Sequence, residues 1–95
     1  MSTLHIVSCS PTAADTLSSL RRVINHDDGI LLTGDGVYLG LQQDNGLTQP
    51  LHALKPDVTA RGLLTQWPTT IPLLDHAGYV SLCIEHEKAL NWSGA

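Results

Sequence analysis

The sequence predicts an α/β fold in which a mostly parallel sheet of four or five short strands is packed against helices. Short apolar runs at 4–8, 30–32, 51–54 and 70–75 alternate with segments that carry helical spacing or helix-ending signals. The run at 30–32 is continuous, as is typical of a strand covered on both faces. With 95 residues, 42% of them hydrophobic, the chain can build one core. Residues 1–95 are therefore expected to form a single domain.

The first half of the chain predicts a strand, a helix and a second strand. The stretch "LHIVS" at 4–8 is followed by "CSP", where Ser10 can cap a helix and Pro11 can occupy its first position. Apolar residues then recur at helical spacing: Ala13, Leu17, Leu20 and Ile24. Gly29 is a stop signal for this helix, and "ILL" at 30–32 is the second strand.

The second half predicts two more strands, each followed by a helix. The stretch "LHAL" at 51–54 is the third strand, and "KPDVTARG" at 55–62 fits one or two helical turns that end at its glycine. "TIPLLD" at 70–75 is the fourth strand, and Asp75 can cap the last helix. That helix carries one stripe of residues: Tyr79, Leu82, Cys83, His86 and Leu90. So short a sheet with so few helices leaves edges exposed, and partner subunits are expected.

The glycine-rich stretch "LLTGDGVYLGL" at 31–41 has the spacing G-x-G-x-x-x-G of a nucleotide loop. Such a loop must open directly into a helix whose N–H groups face the phosphates. Here the turn signal Asn45-Gly46 follows shortly after Gly40, and Asp35 places a negative charge inside the loop. Nucleotide binding is therefore not expected, and the glycines are interpreted as permitting a tight turn at a strand end.

Charge and hydropathy exclude several classes of protein. A net charge of -4, with only five Lys and Arg residues, argues against direct contact with a nucleic-acid backbone. The first residues lack the basic start and apolar core of a signal peptide, and no apolar run is long enough to span a membrane. A soluble, cytoplasmic protein is expected.

The two cysteines and five histidines do not form a metal-binding pattern. Cys9 and Cys83 are far apart in the sequence without C-x-x-C spacing, so both are expected to be free thiols. The histidines include no pair at i, i+4 and no H-E-x-x-H. No metal and no cofactor are predicted. Cys83 is expected to be buried and inert, since it lies on the apolar stripe of the last helix.

Four segments resemble the TusB/DsrH family and occur in the order of its motifs. "LHIVSCSP" at 4–11 is similar to L-H-x-V-x-K-S-P, and "LLTGDGVY" at 31–38 is similar to L-L-x-x-D-G-V-Y. "ALKPDVTARGL" at 53–63 resembles A-L-x-x-D-x-x-A-R-G-L. "IPLLDHAGYVSLCIEHEKALNW" at 71–92 resembles I-x-L-I-D-Y-x-x-F-V-x-L-x-x-x-H followed by Trp. The resemblance extends over nearly the whole chain.

This resemblance implies a small flavodoxin-like, DsrE/F/H-like three-layer fold. It also implies a non-catalytic subunit of a heterohexameric sulfur relay with TusC-like and TusD-like sister subunits, in which the active cysteine belongs to TusD. Such a complex takes persulfide sulfur from a TusA-like donor and passes it through a TusE-like acceptor. The sulfur is used for 2-thiouridine at the tRNA wobble position.

The chain departs from the family pattern at several positions. Cys9 replaces the usual Lys, Gly34 replaces a frequent Glu, and His76 replaces an aromatic residue. Some DsrH members of sulfur oxidisers carry a cysteine in the first helix, where this chain has Ser18 and Ser19. This difference favours the tRNA-thiolation branch over sulfur oxidation.

Cys9 is the weak catalytic candidate. It follows the first strand and precedes a helix N-terminus, a place that favours the thiolate. The alternative function is therefore a persulfide carrier that uses Cys9, or a DsrH-like subunit in sulfur oxidation. The competing interpretation is a cysteine at a tolerant loop position. A third hypothesis is a self-assembling α/β module with an unknown ligand.

Five residues within the matched motifs are predicted to make subunit contacts or to anchor loops: Asp35, Gly36, Asp57, Arg61 and Trp92. The alternative role of these residues is local fold stability, and a buried pair of an arginine with a carboxylate serves either purpose. Trp92 is the stronger interface candidate because tryptophan is enriched at binding hot spots.

Overall fold

The computed structural model describes residues 2–42 and 46–93, and within them five strands form one parallel sheet. The strands are β1 (Thr3–Val7), β2 (Gly29–Leu32), β3 (Leu51–Leu54), β4 (Leu73–Leu74) and β5 (Lys88–Trp92). Their order across the sheet is β4-β3-β2-β1-β5, and every neighbouring pair is parallel. The α/β fold with a mostly parallel sheet is confirmed.

Helices cover the two faces of the sheet unequally. The chain forms α1 (Ala14–Val23), α2 (Lys55–Ala60) and α3 (His76–Glu85), together with 3₁₀ helices at Gly34–Leu41 and Leu64–Gln66. Side chains of α1, α2 and the longer 3₁₀ helix pack on one face, and α3 packs on the other. Three layers result. Within the described residues, no helix has the length and hydropathy needed to cross a bilayer.

Side chains of β1 and β2 alternate between the two faces, as the period of a strand requires. Val7 and Leu32 belong to the larger core beneath α1, whereas Leu4 and Leu31 contact Leu82 of α3 in the smaller one. All five side chains are less than a tenth exposed. Strand β2 is buried along its whole length, which explains its continuous apolar sequence.

The ends of α2 and α3 follow the predicted signals. Asp75 caps α3, since its carboxylate accepts a hydrogen bond of 2.8 Å from the backbone N–H of Gly78. Gly62 follows α2 in the left-handed region, at φ 68°. Asn45 lies outside the described residues, so only Gly46 of the predicted turn can be placed, at φ 74°.

The predicted start of α1 was wrong. The helix begins at Ala14, and Ser10 and Pro11 lie in a turn before it. The hydroxyl of Ser10 accepts the N–H of Thr12 at 3.3 Å, and its carbonyl accepts the N–H of Ala13 at 2.9 Å. This local hydrogen bonding offers the backbone an alternative to the helix, although the Ser-Pro pair is a strong start signal.

The predicted length of the last helix was also wrong. Helix α3 ends at Glu85, and Leu90, which continued its apolar stripe in the sequence, belongs to β5. β5 pairs with β1 along its length, from Lys88 opposite Thr3 to Trp92 opposite Val7. Pairing with the open edge of β1 thus outweighs the helical preference of Ala and Leu in this segment.

Candidate interaction site at the carboxyl edge of the sheet

The segments that follow β1, β2 and β3 meet at the carboxyl edge of the sheet. Val7 lies opposite Leu32, and the N–H of Thr33 donates a hydrogen bond of 2.9 Å to the carbonyl of Val7. Ligand and partner sites of parallel α/β sheets are commonly built at this edge. The predicted site residues are therefore expected at this edge.

The glycine-rich stretch forms a 3₁₀ helix there, Gly34–Leu41, and not a phosphate loop. Gly34 has φ 51°, a left-handed conformation that side chains disfavour. Gly36 lies so close to β1 that an added Cβ would overlap the carbonyl oxygen of Val7. These glycines let the segment turn sharply after β2 and lie against the end of β1, in agreement with the predicted tight turn.

Arg61 joins this 3₁₀ helix to α2. Its Nε and Nη2 atoms donate to Oδ1 of Asp35 at 3.2 and 3.1 Å, and Nη1 donates to the carbonyl of Asp57 at 3.2 Å. The carboxylate of Asp57 accepts the N–H of Gly34 at 3.1 Å. The structure therefore brings Asp35, Gly36, Asp57 and Arg61 together, which we call the Arg61 cluster.

The Arg61 cluster is open to solvent on one side. The side chain of Asp35 is 61% exposed and that of Arg61 is 25% exposed. An ion pair this exposed stabilises the fold by no more than about 1 kcal/mol. The cluster can therefore anchor the loop and still present a carboxylate to a partner.

Cys9 also lies at this edge, but its side chain is turned into the core. It is 4% exposed and packs in the larger core with the apolar side chains beneath α1. It precedes the first residue of α1 by several positions, so it does not lie directly at the helix N-terminus, which was the premise for a reactive thiolate.

Trp92 lies at the end of β5, away from the Arg61 cluster, and takes part in a buried hydrogen-bonded chain. Its indole N–H donates to Nδ1 of His5 at 3.0 Å, and Nε2 of His5 lies 2.8 Å from Oδ2 of Asp28. His5 and Asp28 are almost completely buried, whereas Trp92 is half-buried against the larger core. We call these three residues the Trp92–His5–Asp28 network.

Asp28 is held in its ionised form by its hydrogen bonds. Burial by itself raises the pKa of this carboxyl, but N–H donors of Asn25 and Thr3 and the ring of His5 together hold the pKa below its ordinary value. The two backbone bonds measure 3.0 and 2.9 Å. Sequence reasoning missed His5 and Asp28, and the one available signal was a histidine in the middle of an apolar strand.

Cys83 was expected to be buried and inert, and it is half-buried instead, beside the smaller core. Tyr79 lies one turn earlier on α3. The pKa of its hydroxyl is raised mainly by a hydrogen bond with the sulfur of Cys83, and to a smaller extent by electrostatic interaction with Cys83 and by burial. Among residues 2–42 and 46–93, no three His, Cys, Asp or Glu side chains are grouped in a way that could hold a metal ion.

Comparison with known proteins places this chain among a defined set of relatives. The family model described as DsrH like protein matches residues 9–89. The chain is 38% identical over 95 residues to Protein TusB of Pectobacterium carotovorum subsp. carotovorum (strain PC1), covering 94% of this chain and 99% of that one. It is 34% identical over 97 residues to Protein TusB of Klebsiella pneumoniae (strain 342), with the same coverage.

Solved structures share the fold at lower sequence identity. The solution structure of protein Tm0979 from Thermotoga maritima superimposes with a TM-score of 0.68 at 22% identity, covering 90% of this chain and 94% of that one. The crystal structure of the ychN protein from E. coli gives a TM-score of 0.61 at 15% identity, with coverage of 96% and 99%. Both comparisons support the three-layer α/β architecture.

Proposed function

This chain belongs to the DsrH-like family, together with the proteins named TusB, and on that premise we propose that it is a non-catalytic subunit of a sulfur relay. The relay delivers persulfide sulfur for 2-thiouridine synthesis at the tRNA wobble position. In this proposal the chain organises the complex, and the cysteine that carries sulfur belongs to a sister subunit.

The observation that carries this proposal is the burial of Cys9. Sulfur transfer requires a thiolate that can reach the sulfur of the donor, so a carrier cysteine must be accessible. Cys9 lies at the carboxyl edge of the sheet, but it is only 4% exposed because its side chain packs in the core. A subunit with this arrangement is better suited to assembly than to sulfur transfer.

The surface of the chain supports a role in assembly. On α3, Ile84 is 78% exposed and Val80 is 42% exposed, and Leu90 on the edge strand β5 is 44% exposed. Exposed large apolar side chains and an open strand edge are features that protein partners cover. The exposed carboxylate of Asp35 offers a polar contact at the carboxyl edge.

The partners in this proposal are TusC-like and TusD-like sister subunits, in a heterohexamer with two copies of each chain. A TusA-like donor and a TusE-like acceptor would act on the complex and not on this subunit directly. The net charge of -4 supports a role without direct contact to tRNA. We place the relay in the cytoplasm, where tRNA is modified.

Native mass spectrometry of this chain co-expressed with the two sister proteins of its own genome is expected to show a complex with two copies of each. Arg61→Ala should weaken this complex because it removes the two hydrogen bonds that hold the carboxylate of Asp35 in place. We expect at least a tenfold increase in the concentration at which the complex dissociates.

Arg22→Ala is the matched control. Arg22 lies on α1 and donates to the hydroxyl of Ser19 on the same helix, so its loss leaves the Arg61 cluster intact. A chain that stays apart from both sister proteins would overturn the proposed function. Equal effects of the two substitutions would show that the Arg61 cluster does not lie in the interface. The relay proposal would still stand.

Replacing Cys9 by Ala or Ser is expected to leave tRNA thiolation within about twofold of the unmodified protein, because a buried thiol carries no sulfur. The measurement is the ratio of 2-thiouridine to uridine in digested tRNA from a deletion strain that expresses each variant. Cys83→Ser is the matched control for loss of a thiol elsewhere in the fold.

The alternative is a persulfide carrier that uses Cys9 at the carboxyl edge. Loss of most 2-thiouridine in both Cys9 variants, with the complex still assembled, would favour that alternative. Persulfide trapping on Cys9 after incubation with a sulfur donor would then identify the modified residue directly.

A further inference from the structure

The Trp92–His5–Asp28 network fixes where the proton of His5 lies. An indole N–H can only donate, so Nδ1 of His5, 3.0 Å from Nε1 of Trp92, must present its lone pair. The proton of the neutral ring is therefore on Nε2, which donates to Oδ2 of Asp28 at 2.8 Å. Both bonds are satisfied by one tautomer of the neutral imidazole.

A second proton on His5 is incompatible with this arrangement. It would go to Nδ1, where it would face the indole N–H of Trp92, and two donors cannot share a hydrogen bond. The bond to Asp28 is retained and becomes an ion pair. Protonation therefore strengthens the interaction of His5 with Asp28 and breaks the hydrogen bond from Trp92.

Trp92 lines a groove between α1 and β5. This groove has a volume of about 310 Å³, and its lining residues are Asp15, Thr16, Ser19, Asn91, Trp92 and Ser93. The backbone of Trp92 stays attached to β1, since its carbonyl accepts the N–H of Ser8 at 3.0 Å. The side chain and the groove can thus change while the sheet persists.

Other charged groups lie on the elements around His5. They are Asp15, Arg21 and Arg22 on α1, His26 and Asp27 in the loop before Asp28, His86 and Glu87 before β5, and Lys88 at its start. Within the described chain, the structure gives an ion pair with His5 for Asp28 only. Asp28 and Trp92 are thus the two direct hydrogen-bond partners of the His5 ring.

We propose that His5 is a pH-sensitive latch that fastens the indole of Trp92 to the sheet while the imidazole is neutral and releases it when the imidazole is protonated. The proposal is independent of the sulfur relay, because it rests on hydrogen bonds within this chain. Its consequence is a groove at the α1–β5 edge whose shape depends on the protonation of one buried side chain.

Nitrogen-15 NMR of the full chain between about pH 8 and pH 5, where imidazoles ordinarily titrate, tests the latch. At the upper end, His5 should show a proton on Nε2 only. As His5 gains its second proton, the indole N–H of Trp92 should shift and exchange with water at least tenfold faster, at the same midpoint. Trp67 is an internal control, since its indole N–H donates to the carbonyl of Ile71 at 3.0 Å, without an ionisable partner.

Two substitutions separate the latch from general loosening of the fold. His5→Gln cannot titrate, so the pH response of Trp92 should disappear. Should His5→Gln not fold, Trp92→Phe removes the donor that opposes protonation, so His5 should gain its second proton at a higher pH than in the unmodified chain. Trp67→Phe should leave the midpoint of His5 unchanged.

Three outcomes would overturn the proposal. One is a proton on Nδ1 of His5 at high pH. Another is protonation of His5 without any change at the indole of Trp92. The third is a His5 that stays neutral until the chain unfolds.

Discussion

Replacing Asp28 with Asn is expected to lower the free energy of unfolding by about 3 kcal/mol, because it removes a buried negative charge together with part of its hydrogen bonding. The carboxylate accepts bonds from the N–H groups of Thr3 and Asn25 and from His5, and Asp28 is 3% exposed. An asparagine amide has one oxygen for these donors. Its NH₂ group would face a further donor at a buried site.

Urea unfolding of the purified chain measures this loss, and Asp27→Asn is the matched control. Asp27 is the exposed neighbour in the same loop, so its substitution should change the free energy of unfolding by less than about 0.5 kcal/mol. Similar losses in the two variants would show that the charge of the loop matters and the buried network does not.

The same carboxylate sets a pH dependence. The pKa of Asp28 is lower in the folded chain than in the unfolded chain, where it is about 3.9. Its contribution is therefore fully present above the unfolded value and is lost as the pH falls through the folded value. The Asp28→Asn variant should show a flatter decline of stability below about pH 4 than the unmodified chain.

Gly36→Ala is expected to destabilise the fold by about 3 kcal/mol or more, because the added methyl group would overlap the backbone of β1. The carbonyl of Val7 cannot move aside freely, since it accepts the N–H of Thr33 at 2.9 Å. Relief therefore requires the whole 3₁₀ helix to shift. Thermal unfolding should show a decrease in Tm of more than about 10 °C.

Gly62→Ala is the control that separates steric overlap from backbone conformation. Gly62 has φ 68°, but a Cβ added there would meet no heavy atom within 4 Å apart from those of its chain neighbours. Its substitution should cost about 1 kcal/mol, the usual penalty for a side chain in the left-handed region. If Gly36→Ala is no more harmful than Gly62→Ala, close approach to β1 is not the reason for glycine at position 36.

Much of the fold could be predicted because local signals and tertiary packing agree. The continuous apolar strand β2 is buried on both faces, and Asp75 and Gly62 mark helix ends as their chemistry suggests. The errors arose where the two disagree. The turn at Ser10 competes with the helix, and β5 has the composition of a helix but pairs with the first strand.

The proximity of three candidate residues could be predicted for a similar reason. Asp35, Asp57 and Arg61 lie in matched motifs at the ends of neighbouring parallel strands, so the topology brings them together. The pairing of His5 with Asp28 could not be predicted. The two side chains are brought together only when β1 and β2 pair, and the sequence between them carries no motif that indicates the contact. Trp92 was predicted as an interface residue from its residue type, and its hydrogen bond with His5 was not predicted.

The pairing of β1 with β5 also has a consequence for the order of folding. Strand β1 has β2 on one side and β5 on the other, and β5 is the last strand along the chain. Bringing β5 back to β1 closes a long loop, which is entropically costly and slow. During synthesis, β5 also leaves the ribosome after the other strands. Until then one edge of β1 is open, and the nascent chain exposes an apolar strand to other chains. The nascent chain is therefore most prone to aggregate before residues 88–92 have been synthesised and can pair with β1.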